Sequence, residues 1–265
     1  MKKIGLFLLI TCITGFSSCG PDGEVNTETE VIKGRPTVFE LYANTQDSYH
    51  YINENQLSKI VYSDVTKDIH YSGNSGDEIT GCTYTHKPGH GGASRIDFKK
   101  VGSNRINATI VYEYFQINYM IHLNANGLPV SYNLINDDNE RIDKEFTFLP
   151  NSNQIHQKKV YFYYDQNDPT VKRVNTHIYE YDNNPGTTSK INCPVWFRLF
   201  FSDVIVSSIS DKELSNYHNN VVKENVSNNT TPTNDILEYH YTYDSEGFPS
   251  SVIEPLHGST ITIKY

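Results

Sequence analysis

Three kinds of residue cluster in this chain carry groups capable of chemistry. The first is Cys82-Thr-Tyr-Thr-His86-Lys-Pro-Gly-His90, which places one thiol and two imidazoles close together. Nitrogen and sulfur donors of this kind suit zinc. However, Pro88, Gly89, Gly91 and Gly92 forbid the helix that would bring His86 and His90 onto one face, and no fourth ligand adjoins them. The preferred reading is a polar loop tip, with no metal and no cofactor expected. The second kind is clustered oxygen donors, Asn136-Asp-Asp-Asn-Glu140 and Asp165-Gln-Asn-Asp168. Both lack the alternating ligands, glycine and terminal glutamate of a calcium loop, so they read as solvated hairpin turns.

The third kind is the tyrosine stripe. The chain has 20 tyrosines, and many fall two apart, as in Tyr161/Tyr163, Tyr179/Tyr181 and Tyr239/Tyr241/Tyr243. Period two puts each set on one face of a strand. Exposed, such rings form platforms for sugars or peptides, with an apolar face and a polar hydroxyl. Buried, they stabilise a sheet through cross-strand pairs worth about 0.2–1 kcal/mol each. Tyr239, Tyr241 and Tyr243 are the candidate binding face. Catalytic residues are not assigned: Asp and Glu number 31, and nothing in their spacing singles out a pair for glycoside hydrolysis. Nucleophile-elbow, His-Glu-x-x-His, phosphate-loop and dinucleotide patterns are not found.

The elements that must position these residues are mostly strands. Apolar–polar alternation predicts strands over Lys158–Tyr164, Val171–Tyr181, Leu237–Tyr243, Ser250–Ile253 and Ser259–Lys264, among many others. Short polar turns between them imply antiparallel pairing. One turn device recurs: Asp244-Ser-Glu-Gly247-Phe248-Pro249 matches Asn124-Ala-Asn-Gly127-Leu128-Pro129, and also Asn53-Glu-Asn-Gln56-Leu57-Ser58. Asp or Asn closes the turn through its own backbone, and Gly accepts a positive φ. Uneven spacing of the copies excludes a fixed-period solenoid. The run Pro194–Val206 is nearly all apolar and reads as a buried plug, helical or irregular. Ser210-Asp-Lys-Glu213 reads as a capping box opening a short helix to about Tyr217, and 216–233 as a long loop. The expected fold is mostly β: an antiparallel meander forming one large twisted sheet, open barrel or half-barrel, with one or two short helices covering a face or an end.

The N-terminus predicts where this domain resides. Lys2 and Lys3, a short apolar run and Ser17-Ser18-Cys19 make a secretory signal over 1–18. The small residues before Cys19 resemble a bacterial lipobox, which implies cleavage before Cys19 and its acylation. Residues 19–36 read as an acidic tether and 37–265 as a single β domain. The acidic residues after Cys19 resemble a surface-export signal, favouring the cell surface, with the periplasmic face of the outer membrane as the alternative. The net charge of −9 and the lack of a Lys/Arg cluster argue against nucleic acid and against electrostatic lipid binding. Cys82 and Cys193 are then the remaining cysteines, as a disulfide or as two buried thiols.

Tyr179-Glu-Tyr-Asp-Asn-Asn-Pro185, the plug, the stretch 210–220 and the closing Tyr241–Pro249 resemble a family of uncharacterised Bacteroidota lipoproteins. The resemblance implies a single antiparallel β domain and brings no activity or catalytic residue. The leading expectation is a lipid-anchored, non-catalytic scaffold binding a glycan or another envelope protein. The alternatives are an assembly component pairing through an edge strand, such as Ser259–Tyr265, and a hydrolase with dispersed carboxylates. Cys19→Ala is expected to abolish palmitate labelling in a host that acylates lipoproteins; unchanged labelling would show that the anchor is misassigned.

Overall fold

The computed structural model describes residues 34–41, 45–52, 55–72, 78–136, 139–164, 170, 172–205, 209–231, 234–253 and 258–265. The signal segment, Cys19, most of the tether, Asn53, Asp137, Asp138 and the turn 165–168 lie outside the described residues. Residues 32–265 form one compact unit. Its strands are Val38–Glu40 (β1), Gln46–Ile52 (β2), Gln56–Val61 (β3), Val65–Ser72 (β4), Glu78–His86 (β5), Arg95–Lys100 (β6), Arg105–Val111 (β7), Gln116–Leu123 (β8), Pro129–Asn136 (β9), Asn139–Phe148 (β10), Ile155–Tyr163 (β11) and Lys172–Tyr181 (β12). A helix, Val195–Val204 (α1), and a 3-10 helix, Ile209–Ser215, follow. The chain closes with Val221–Asn228 (β13), Asn234–Glu238 (β14), His240–Tyr243 (β15), Pro249–Ile253 (β16) and Thr260–Lys264 (β17).

Successive strands pair antiparallel into a single sheet. β1 sits between β2 and β17, with Val38 opposite both Ser48 and Lys264, so first meets last. Of the expected forms the structure takes the barrel. One seam remains. β14 pairs with β13, whereas β15 pairs with β16, so the strand changes partner at Tyr239. The terminal strand offers no free edge, because β17 is bonded to β16 on one side and β1 on the other. The expectation that it pairs with a partner protein is corrected accordingly.

The recurring turn forms in the same way at two sites. Asn124 Oδ1 accepts from the backbone N–H groups of Asn126 and Leu128 at 2.9 and 3.1 Å. Asp244 Oδ1 accepts from those of Glu246 and Phe248 at 2.9 and 3.0 Å. Gly127 and Gly247 take φ of 75° and 85°, a region costly for any residue with a Cβ.

The barrel is apolar inside and polar outside. Along β6, Ile96 and Phe98 are buried while Arg95, Asp97, Lys99 and Lys100 are exposed. Helix α1 fills the interior with Trp196, Phe197, Leu199, Phe200 and Phe201. Phe98 meets Trp196, Phe197 and Phe200 edge-on at 5.2–5.8 Å between ring centroids, and Tyr132 meets Phe200 at 5.3 Å. Edge-to-face packing of this kind adds about 0.5–1.5 kcal/mol per pair beyond area burial. The plug expected at 194–206 is therefore a regular helix, its poor helix formers held by packing rather than propensity.

The carboxyl end of α1 has no basic residue of its own. The barrel wall supplies them. Lys67, fully buried, donates to Ile205 O at 2.9 Å. Lys144 donates to Asp203 O at 2.7 Å, and Lys158 to Asp203 Oδ1 at 2.7 Å. Cations there satisfy orphan carbonyls and oppose the negative end of the helix dipole. At the other end the Arg198 guanidinium donates to the carbonyls of Thr188, Ile191 and Cys193, tying the preceding loop to the helix.

Two expectations fail here. The capping box does not form: Ser210 Oγ donates to Asp47 Oδ2 at 2.6 Å, and Glu213 accepts from Thr187 and Asn216. The long loop 216–233 contains β13. Its inward position Glu224 faces a polar interior rather than an apolar core, so the strand carries no apolar alternation.

Asp182, Asn184, Asn220 and Tyr243 meet in one polar knot. Asp182 accepts from Asn220 N at 3.0 Å, Asn184 N at 3.2 Å and the Tyr243 hydroxyl. Gly186 packs where a Cβ would lie 2.2 Å from Asn216 O. Gly186→Ala is expected to lower stability by about 2–3 kcal/mol in urea unfolding, since backbone cannot yield cheaply. Gly127→Ala has open space around it and strains only φ, so about 1 kcal/mol is expected.

Candidate functional site

Strands β11–β14 turn a different inner face toward the helix. Register places Lys158 opposite His177, Tyr179 opposite Glu224, and Glu224 opposite Leu237. These rows put charged and phenolic side chains where β6 puts Ile96 and Phe98. Between this wall, the carboxyl half of α1 and the 3-10 helix lies a cavity of ≈ 300 Å³. Lys158, His177, Glu224, Tyr179, Tyr239 and Tyr241 line it from the wall, Asp203 from α1, and Glu213 and Asn216 from the 3-10 region. Exposed Lys212 stands at its rim.

The electrostatics are paired. His177 Nδ1 lies 2.6 Å from Glu224 Oε1, and the Tyr239 hydroxyl donates to Glu224 Oε2 at 3.1 Å. Burial pushes the Glu224 carboxyl up, but His177 and Lys158 outweigh it and hold it below the usual range. Burial likewise opposes ionisation of Asp203, and Lys158 with Lys144 overcomes it. Burial also disfavours the charge on Lys158, yet Asp203 holds its ammonium well above its ordinary value. Glu213 differs: it meets hydroxyl and amide donors, and burial raises its carboxyl.

Of the predicted binding face, Tyr239 and Tyr241 line the cavity. Tyr241 Oη accepts from Asn216 Nδ2 at 2.9 Å. Tyr243 is not part of the lining and turns to Asp182 in the knot. Other tyrosine hydroxyls donate to backbone carbonyls, Tyr71 to Leu57 at 2.5 Å, Tyr132 to Trp196 at 3.2 Å and Tyr181 to Ile155 at 2.9 Å. These three tyrosines brace the barrel.

Cys82 and Cys193 are free thiols in the structure, with no bridge between them. Cys82 is buried against the core, and burial pushes the Cys193 thiol up. His86 Nε2 bonds Ala93 O at 2.7 Å, while His90 reaches Asp64 at 3.7 Å, so the two imidazoles serve separate partners. Sequence reasoning missed Lys158, His177, Asp203, Glu213 and Glu224. Asp203 carried a signal, as a lone carboxylate near the end of an apolar run. Glu224 carried none, sitting in an apparent loop.

A wider groove of ≈ 680 Å³ lies at the amino end of α1, beside Trp196, Phe98 and the turn Asn124–Leu128. Its charged residues, Glu78 and Lys100, are exposed rim groups. The cavity, with converging buried ionisable groups, is the better site.

No known family model matches the chain, and no curated protein matches it. Among solved structures it is similar to a porin-like protein from Bacteroides vulgatus, at 14% identity and a TM-score of 0.43, covering 87% of this chain and 98% of that one. It is also similar to a porin-like protein from Bacteroides uniformis, at 14% identity and a TM-score of 0.37, covering 88% and 98%.

Lys158→Met is expected to cost about 3 kcal/mol in urea unfolding, because it strips Asp203 of its ion pair. Both side chains keep 14–15% exposure, which sets the estimate at the low end. Asp203 and Glu224 have lowered folded values. Their stability contribution is fully present above unfolded carboxylate values of about 4 and is lost as pH falls through the folded ones. A thermal-melt series should show that acid loss, diminished in Lys158→Met.

Proposed function

We propose that this chain is a lipid-anchored β-barrel scaffold of the bacterial envelope that binds a small polyhydroxylated ligand, such as a glycan end, in its polar cavity. The anchor follows from the signal segment and Cys19. Acyl chains contribute about 0.8 kcal/mol per buried CH₂, so two or more hold a protein firmly to the outer membrane. The observation that carries the binding reading is convergence: rings of Tyr179, Tyr239 and Tyr241 meet Lys158, His177 and Glu224 in one cavity. Sugars need that combination, because C–H faces rest on aromatic rings while hydroxyls engage paired charges.

A membrane-spanning pore is a different reading, and side-chain polarity runs against it. A lipid-facing barrel is apolar outward and polar inward. Here Arg95, Asp97 and Lys99 face out while Ile96 and Phe98 face in.

The test is a glycan array followed by titration calorimetry on the full chain. Tyr239→Phe removes the hydroxyl on Glu224, and Glu224→Gln removes the charge. Each is expected to weaken binding by about tenfold, equivalent to about 1.4 kcal/mol. No bound glycan, or equal affinity in wild type and both variants, would defeat the reading.

A further inference from the structure

Three carboxyl groups line the cavity. Asp203 is held by the Lys158 ammonium, and the other two, Glu213 and Glu224, stand in unlike surroundings, of which the binding reading uses only Glu224. Glu224, on β13, faces cations: His177 Nδ1 lies 2.6 Å away and Lys158 lines the same wall. Glu213, on the 3-10 helix, faces neutral donors instead, Thr187 Oγ1 at 2.8 Å and Asn216 Nδ2 at 2.9 Å. Both line one cavity, together with Tyr179, Tyr239 and Tyr241.

We propose that this cavity hydrolyses a glycosidic bond, with Glu213 as the acid and Glu224 as the base; the proposal rests on the sugar-binding reading above. The cavity, at ≈ 300 Å³, has room for a single sugar ring, which makes a terminal residue the target, its leaving group directed toward Lys212 at the rim. In the step, protonated Glu213 gives its proton to the glycosidic oxygen as the bond from C1 to that oxygen breaks. Ionised Glu224 takes a proton from the water whose oxygen bonds to C1. The products are a free sugar and an alcohol, and the proton lost by Glu213 is balanced by the one gained by Glu224. The division of roles agrees with the chemistry of each pocket. Burial pushes the Glu213 carboxyl up, against the donors it meets, while His177 and Lys158 hold the Glu224 carboxyl low. Tyr239, bonded to Glu224, is a positioning residue.

The full chain should be assayed on a panel of α- and β-linked aryl hexosides, in parallel with calorimetry for the corresponding free sugars. Turnover of at least one is expected, falling away as acid protonates Glu224 and as base ionises Glu213. Glu213→Gln should lose on the order of 10²–10⁴-fold on a 4-nitrophenyl or poorer leaving group. It should lose far less on a dinitrophenyl glycoside, whose departure needs no proton. Glu224→Gln should lose turnover on both while still binding the sugar. Equal losses of Glu213→Gln on both leaving groups would make Glu213 structural and overturn the assignment. Sugar binding without turnover across the panel also overturns it, and leaves the binding reading standing. Loss of both binding and turnover in wild type overturns both. Circular dichroism on each variant separates misfolding from lost chemistry, and Glu213→Asp provides a second variant that keeps the carboxyl.

Discussion

Three lysines from the barrel wall converge on the carboxyl end of one buried helix, and the interior is arranged around that meeting. A helix buried within the barrel cannot send its last carbonyls freely to water. Lys67 and Lys144 reach them from β4 and β10, and Lys158 takes the Asp203 side chain from β11. Burying three ammonium groups is costly unless each is bonded. Asp203 provides one anion for that purpose, and the carbonyls of Asp203 and Ile205 provide the rest. The charges that close the helix thereby bring water-seeking groups into the barrel interior.

From this follows the division of the interior into two kinds of wall. β6 and β9 pack Phe98 and Tyr132 edge-on against the aromatic rings of α1. β11–β14 present Lys158, His177, Tyr179 and Glu224 to its carboxyl half, and there the packing leaves a cavity. The cavity is thus the place where an apolar plug and a charged wall cannot fill one another. Its tyrosines suit both, each with an apolar ring and a polar hydroxyl, and the hydroxyls of Tyr239 and Tyr241 meet Glu224 and Asn216.

Much of the fold was legible because it depends on local rules. The turns at Asn124 and Asp244 were readable from residue type alone, since a side-chain oxygen and a glycine with positive φ suffice to make them. The plug was readable from its apolar run. What escaped was the strand whose partners are polar. β13 has Glu224 where an alternating pattern would place an apolar residue, because its inner face meets His177 and a cavity. The site escaped for the same reason. Lys158, His177 and Glu224 lie far apart in sequence on separate strands, and only strand register brings them into neighbouring rows. Period two marks Tyr239 and Tyr241, which line the cavity; Tyr243 shares the period but is claimed by Asp182.

The pairing of β1 with β17 gives this shell an order of assembly. Val38 and Lys264 stand at opposite ends of the folded chain, so the bond that closes the ring is also the most remote in sequence. Neighbouring strands can pair as soon as each hairpin exists, whereas closure must bear the entropy of the longest loop the domain contains. Helix α1 is spelled between β12 and β13, before the strands that complete the wall. The chain therefore carries its filling ahead of its lid, and its last strand works as a clasp over a packed interior.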